Sequence, residues 1–174
     1  MSRPNAAPFG KCAERSEVEL RSNDEIRPPG FAHFGIISNE RSGILCHNSF
    51  LLDTCTLVRL AGFPETLSAA AREAIENAWY LYVSPVSIWE VIFKCQIGKL
   101  ELSLPPRDWF AQLKSEYDIK MLPLAEEAAT LAGELPLHHR DPADRFIIAT
   151  AKLHDLPVVT TDRNFSRYDI KVIE

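Results

Sequence analysis

Long apolar runs are absent from this 174-residue sequence. A membrane-spanning helix needs about 18 or more consecutive apolar residues, and no segment comes near that length. The first part of the chain also lacks the apolar core of a secretory signal. We therefore expect no membrane contact and a cytoplasmic location.

Paired cysteines and an excess of basic residues are also missing. Cys12, Cys46, Cys55 and Cys95 are scattered, with no CxxC pair, so we expect neither a disulfide framework nor structural zinc. The 19 basic residues are outnumbered by 24 acidic ones, which argues against binding of nucleic acid through a broad basic surface. An enzyme acting on nucleic acid is not excluded, because metal ions locally neutralise the carboxylates that bind them.

The length of the chain allows one domain with a sizeable core, but the first part differs in composition from the rest. Residues 1–49 hold four of the seven glycines and show no sustained helical or alternating pattern. We interpret them as an extension that is disordered or loosely packed. Residues 50–174 are interpreted as the folded domain.

Short apolar runs alternate with amphipathic stretches after residue 49. Strands are predicted at 50–52, 80–83, 119–122, 158–161 and 170–173. Helices are predicted at 68–78, 85–97, 108–117, 125–135 and 142–154, and Ser68, Ser84 and Asp141 have the character of helix N-caps. This alternation predicts an α/β fold, a three-layer α/β/α sandwich around a mostly parallel central sheet.

Asp53 and Asp162 occupy equivalent positions, each directly after a predicted strand. In parallel α/β sheets, functional groups collect beyond the carboxyl ends of the strands, so both acids should emerge at one edge. A single acid after a strand is more often a turn or cap residue. Two acids at equivalent places favour a functional site.

Glu90 and Asp144 are predicted to reach the same edge from helices. Glu90 lies in the almost wholly apolar segment 88–93 and so should face the domain. The alternative is an ion pair on the helix surface with Lys94, four residues on. Asp144 stands in the first turn of a helix, where the helix dipole favours negative charge. An acid at such a place can also merely start the helix, and this is the role that we prefer for Asp141.

Four converging carboxylates cannot all stay ionised without a counter-charge, and a divalent cation supplies one. Mg²⁺ binds few protein carboxylates, keeps several waters and leaves positions for phosphate oxygens, and Mn²⁺ should substitute for it. Such a site activates water for phosphodiester cleavage. Asp53, Glu90, Asp144 and Asp162 are therefore predicted to be the metal ligands and catalytic residues of a phosphodiester hydrolase.

Two residues close to Asp144 are weaker candidates. His139, in the loop before the helix, is a candidate for a contact with substrate phosphate, although a loop histidine is more often structural. Arg145 is a candidate for a contact with RNA, although structural pairing with another group is the role that we favour for it.

Five blocks of this sequence resemble, in their order and spacing, the PIN domains of VapC-type toxins. They are LLDT at 51–54, VSPVSIWE at 83–90, GKL at 98–100, LPLHHRDPADR at 135–145 and TTDRNF at 160–165. Each block alone is weakly specific. Together they are highly specific, and they cover the chain from about residue 50 to its end.

The resemblance implies a function and a set of site residues. PIN domains of this type are Mg²⁺-dependent ribonucleases, usually toxins that form homodimers and are held inactive by a cognate antitoxin. Asp53, Glu90, Asp144 and Asp162 match the acidic cluster of the family, and Thr54 matches a small hydroxyl residue that orients a water or a phosphate. By this resemblance we expect an endoribonuclease toxin of a type II toxin–antitoxin pair, with RNA as its substrate.

Two alternatives remain at this point. One is a catalytically silent binding module with the PIN fold, and the presence of all four acids argues against it. The other is a phosphatase with an aspartate nucleophile after its first strand. That chemistry generally needs a second acid two residues later, where this chain has Cys55.

Overall fold

A five-stranded parallel sheet forms the centre of the domain in the computed structural model, which describes residues 48–174. The strands are β1 (Ser49–Leu52), β2 (Tyr80–Val83), β3 (Ile119–Met121), β4 (Val158–Val159) and β5 (Val172–Ile173). Their order is β3-β2-β1-β4-β5, and every neighbouring pair is parallel. The predicted extension, residues 1–49, lies outside the described residues except for its last two, and Ser49 already belongs to β1.

Six α-helices accompany the sheet within residues 48–174. They are α1 (Thr54–Gly62), α2 (Ala69–Glu76), α3 (Pro85–Gln96), α4 (Pro106–Tyr117), α5 (Glu126–Glu134) and α6 (Pro142–His154). Ser68, Ser84 and Asp141 accept backbone N–H groups at the starts of α2, α3 and α6, so the three predicted N-caps are confirmed. No helix in this part of the chain has both the length and the apolar character needed to cross a membrane.

Each strand contributes side chains to both faces of the sheet. On β1, Phe50 and Leu52 belong to the apolar cluster on one face, with residues of α1 to α4. Leu51 belongs to the cluster on the other face, with residues of α5 and α6. Val158 and Val159 on β4 divide between the two clusters in the same way. Because successive side chains of a strand point in opposite directions, this division confirms the predicted three-layer α/β/α sandwich.

Helix α1 is not among the helices that the sequence pattern predicts. Its first turns contain the β-branched residues Thr54, Thr56 and Val58, which lower helix propensity. A local feature and a tertiary one outweigh that weakness: Asp53 caps the helix, and Leu57 is fully buried in the core. A long-range context therefore decides the conformation of this segment.

The last two strands are shorter than predicted. β4 ends at Val159, because the Thr160 hydroxyl accepts the N–H of Asp162 and turns the chain. β5 begins only at Val172, since Ile170 donates its N–H to the carbonyl of Tyr168 in a turn. Residues 160–161 and 170–171 are thus loop residues next to the sheet rather than strand residues.

The strand order places a topological switch point between β1 and β4. From β1 the chain passes to β2 and β3 on one side, and it later returns to β4 and β5 on the other side. At such a point the connections leave in opposite directions, and a crevice opens beyond the carboxyl ends of the two strands. The residues that follow β1 and β4 border this crevice.

Replacement of Leu51 by alanine should lower the free energy of unfolding by about 2–5 kcal/mol, because it opens a cavity at a fully buried position of the central strand. The matched control is Leu137→Ala, since Leu137 is 84% exposed and its truncation should change stability by about 0.5 kcal/mol or less. Urea unfolding of the full chain measures both values. Equal losses in the two variants would contradict the assignment of Leu51 to the core.

Candidate active site

Asp53 lies at the end of β1 and is the N-cap of α1. One carboxylate oxygen accepts the backbone N–H of Thr56 at 2.5 Å, and the other accepts the hydroxyl of Thr160. The side chain is buried, and this burial raises its pKa above the ordinary aspartate value even though the two hydrogen bonds act in the opposite direction. Asp53 is therefore a rigidly held carboxylate whose negative charge has little access to water.

Glu90 enters the same region from the middle of α3 and is only 8% exposed. Its Oε1 lies 2.5 Å from Nζ of Lys94, so the ion pair that was the alternative to a functional role forms, although Glu90 is buried and not on the helix surface. The other oxygen, Oε2, is buried and has no hydrogen-bond partner among residues 48–174. A buried carboxylate oxygen without a partner is costly, and a bound cation would remove that cost.

Asp144 and Asp162 are joined by the imidazole of His139. Asp144 stands in the first turn of α6, and its Oδ2 lies 3.3 Å from Nδ1 of His139. Asp162 follows β4, and its Oδ2 lies 2.7 Å from Nε2 of the same ring. One ligand atom from each of the three residues can be chosen so that all lie within 4.8 Å of one another. The structure thus brings His139 into the acidic cluster rather than beside it.

The pKa values of the two acids on His139 shift in opposite directions. Burial raises the pKa of Asp144, and the charges of Asp141, Glu90 and Asp53 raise it further against the effect of His139, to about 7. Burial also acts to raise the pKa of Asp162, but hydrogen bonds from His139 and Asn164 outweigh it and lower that pKa. Burial and the neighbouring negative charges thus act on Asp144 in the same direction, and both disfavour its ionised form.

The nearby carboxylates also affect the pKa of the Cys55 thiol. Its pKa rises to about 11, first because of burial and then because of the charge of Asp53, with smaller effects of Glu90 and Asp144. The donor set of this region is rich in oxygen, because it contains crowded carboxylates and the unpartnered oxygen of Glu90. This set fits a hard divalent cation.

Of the remaining predicted residues, Thr54 lies close to the cluster and Arg145 does not belong to it. Thr54 follows Asp53 directly, is buried, and its hydroxyl has no hydrogen-bond partner in the described part of the chain. The guanidinium of Arg145 is buried and donates to three backbone carbonyls, those of Gly133, Leu135 and Pro136. Arg145 therefore stabilises the end of α5 and the loop after it, and its geometry argues against the predicted contact with RNA.

Thr160 is a site residue that the sequence analysis did not single out. Its hydroxyl bonds the Asp53 carboxylate, which is 107 residues away in the sequence. The available signal is the position of Thr160 directly after β4, since a residue there neighbours the end of β1 once the strand order is known. The strand order itself is not readable from one sequence.

The family model described as PIN domain matches residues 50–171 of this chain. The chain belongs to the PIN domain family. The resemblance drawn from the five sequence blocks is thereby confirmed, and the α/β fold agrees with it. The PIN domain match includes the positions of Asp53, Glu90, Asp144 and Asp162.

Similar proteins include a ribonuclease and two structures of protein complexes. The chain is 34% identical over 114 residues to "Ribonuclease VapC22" of Mycobacterium tuberculosis (strain ATCC 25618 / H37Rv). The aligned segment covers 86% of the relative and 65% of this chain. In fold it is similar to VapBC2 from Rickettsia felis, solved bound to a DNA fragment from their promoter, with a TM-score of 0.54 and 13% identity over 71% of this chain and 96% of that one. A toxin–antitoxin complex from Klebsiella pneumoniae matches with a TM-score of 0.51 and 19% identity over 72% and 96%.

The stability of the metal-free PIN domain should fall as the pH rises from about 4 to about 7. In this interval the folded protein keeps a proton on Asp144, whose pKa is about 7, whereas the unfolded chain has released it near the ordinary value of 3.8. The folded state therefore binds more protons and loses stability with rising pH. Asp144→Asn should flatten this slope and be more stable than the wild type at pH 8.

Urea unfolding in EDTA across this pH range measures the effect. Asp155→Asn is the matched control, because Asp155 is an exposed residue at the opposite end of α6 and adopts a left-handed conformation that asparagine also tolerates. The control should follow the wild-type profile. Parallel profiles for the wild type and Asp144→Asn would show that Asp144 titrates normally.

Replacement of Arg145 by lysine should lower the free energy of unfolding by about 1–3 kcal/mol, since a single ammonium group cannot serve three buried carbonyls. Arg140→Lys is the control, because Arg140 is exposed and its replacement should be nearly neutral. Thermal or urea unfolding distinguishes the two. If Arg145→Lys left the stability unchanged and weakened RNA binding, the role of Arg145 as a contact with RNA would be supported instead.

Proposed function

We propose that this PIN protein is a metal-dependent endoribonuclease that acts as the toxin of a type II toxin–antitoxin pair. The observation that carries the proposal is the acidic crevice at the switch point of the sheet, where the charges of Asp53 and Glu90 act on Asp144 and where Asp144 and Asp162 lie on either side of His139. The similarity to a relative named as a ribonuclease supports RNA as the substrate. Phosphodiester hydrolysis is the reaction that such a cluster serves best.

The four carboxylates are the proposed ligands, with Mg²⁺ as the ion and Mn²⁺ as a substitute. When bound, a divalent ion supplies a water of lowered pKa and stabilises the charge that develops on the phosphate. Asp53 is suited to be a metal ligand because two hydrogen bonds fix its carboxylate, so the side chain has little need to move when an ion binds. Asp144 is suited because a cation would remove the repulsion that raises its pKa.

Other residues of the crevice act on these carboxylates or on substrate. Lys94 pairs with Oε1 of Glu90 and leaves Oε2 available to a ligand. The buried hydroxyl of Thr54 is free to orient a water or a substrate phosphate, as the family resemblance implies. His139 is hydrogen-bonded to Asp162 and orients it, and its Nδ1 lies 3.3 Å from Oδ2 of Asp144.

The proposed partners follow from the same similarities. Structures that share the fold were solved as VapBC or toxin–antitoxin complexes, which supports a cognate antitoxin as the partner of this chain. Homodimerisation, which the family resemblance implies, is part of the proposal. The antitoxin would have to cover the acidic crevice or deform it in order to silence the nuclease.

Purified protein should cleave cellular RNA with Mg²⁺ or Mn²⁺ and stop doing so in EDTA. Asp53→Asn and Asp144→Asn should each reduce the cleavage rate by at least about 100-fold, because loss of one anionic ligand removes several kcal/mol of stabilisation of the transition state. Asparagine still caps a helix, so Asp53→Asn keeps the start of α1. Gel analysis of the RNA fragments measures the rate.

Asp155→Asn is again the matched control and should cleave like the wild type. In cells, expression of the wild type should arrest growth, and expression of Asp53→Asn should not. Metal-independent cleavage, or growth arrest that survives Asp53→Asn, would contradict the proposed mechanism. No cleavage by folded, antitoxin-free protein under any metal would favour the catalytically silent binding module.

A further inference from the structure

His139 is the only described histidine whose ring lies among the acidic residues of the crevice within residues 48–174. Its side chain is 12% exposed, and each ring nitrogen faces a carboxylate, Nδ1 that of Asp144 and Nε2 that of Asp162. Nδ1 also accepts the backbone N–H of Asp141 at 3.3 Å, which leaves Nε2, on the side of Asp162, as the nitrogen for an ion. A histidine that contacts substrate phosphate needs a ring nitrogen directed to solvent. The two nitrogens of His139 are instead directed into the cluster.

The position of the His139 ring is fixed by contacts outside the cluster. Its backbone N–H donates to the hydroxyl of Tyr168 at 2.7 Å, and that hydroxyl donates to the carbonyl of Pro136 at 3.0 Å. The ring packs edge-on against Phe165, with 6.0 Å between the ring centroids, and Phe165 is fully buried. The imidazole is therefore held in place before any ion binds, which is the condition for a preorganised ligand.

The spacing of the donor atoms is close to that of ligands around a single ion. Atoms bound at about 2.1 Å to one ion lie on the order of 3–4 Å apart. One ring nitrogen of His139 and one oxygen each of Asp144 and Asp162 lie within 4.8 Å of one another. Oε2 of Glu90, nine-tenths buried and without a partner in the described residues, independently indicates a ligand in this crevice.

We propose that His139 is an imidazole ligand of a divalent ion held with Asp144 and Asp162, and that this nitrogen donor makes the site prefer Mn²⁺ to Mg²⁺. The inference rests on the proposed function for the presence of an ion, and it adds a ligand that the four-carboxylate assignment lacks. Mg²⁺ is a hard ion that favours oxygen and gives up its waters reluctantly. Transition-metal ions accept imidazole readily, and their geometry tolerates a mixed nitrogen and oxygen set.

Pulsed electron paramagnetic resonance of the full chain with bound Mn²⁺ tests this coordination directly. The wild type should show the ¹⁴N modulation of a coordinated imidazole, and labelling of the histidines with ¹⁵N should replace it by the ¹⁵N pattern. His139→Gln should abolish the modulation. The matched control is His138→Gln, because His138 is the neighbouring histidine and packs on Tyr168 rather than in the cluster, so it should keep the signal.

Calorimetric titration with each metal alone tests the preference. Loss of the imidazole in His139→Gln should weaken Mn²⁺ binding by about 10- to 100-fold, by analogy with the effect of removing groups that support a metal ligand. Mg²⁺ binding should weaken far less, so the ratio of the two dissociation constants should move toward one. His138→Gln should leave both constants unchanged.

Two outcomes would overturn the proposal. One is Mn²⁺ bound to the wild type without nitrogen modulation, which would leave His139 as a counter-charge to the two carboxylates and not a ligand. The other is the absence of Mn²⁺ binding altogether. RNA cleavage by the same samples tests the nuclease separately. Metal-dependent cleavage without the nitrogen signal would support the nuclease and contradict His139 as a ligand. The nitrogen signal without cleavage would support His139 as a ligand and contradict the nuclease.

Discussion

Negative charge crowded at the carboxyl ends of β1 and β4, and buried at Asp53 and Glu90, is the constraint on which the rest of this structure depends. Carboxylates in such surroundings repel one another and lose hydration, and each one here has a specific compensation. The hydroxyl of Thr160 bonds Asp53, Lys94 pairs with Glu90, and His139 stands between Asp144 and Asp162. These compensations are incomplete, as the raised pKa of Asp144 and the unpartnered oxygen of Glu90 show, and the deficit is what a cation would fill.

The fold holds Asp53, Glu90 and Asp144 on or directly next to regular secondary structure. Asp53 ends the central strand of the sheet and at the same time caps α1, so a single side chain links strand, helix and crevice. The two apolar clusters, one on each face, hold β1 and β4 side by side and thereby bring their ends together. Stability and the charge of the crevice are coupled at Asp53, because the same carboxylate that adds to the crowding also caps α1.

The loop that carries His139 has its own support, made of groups that take no part in the cluster. Arg145 and the hydroxyl of Tyr168 both donate to the carbonyl of Pro136, and Tyr168 also accepts the N–H of His139. Arg145 lies next to Asp144 in the sequence, yet its side chain points to the opposite side of the helix start and secures the end of α5. Adjacent positions in the DPADR segment thus perform different tasks.

The sequence by itself determined the α/β alternation, the three helix caps and the positions of Asp53 and Asp162 just after β1 and β4, because periodicity, capping and strand-end position are local properties. It did not determine helix α1, whose weak propensity is overridden by burial, or the roles of Thr160, His139 and Arg145. Those depend on contacts between segments far apart in the chain, such as Asp53 with Thr160 across 107 positions. Only the tertiary structure decides which way a side chain points once strands and helices have packed. Here that direction separates Asp144, which lies in the acidic cluster, from Arg145, which bonds carbonyls at the end of α5.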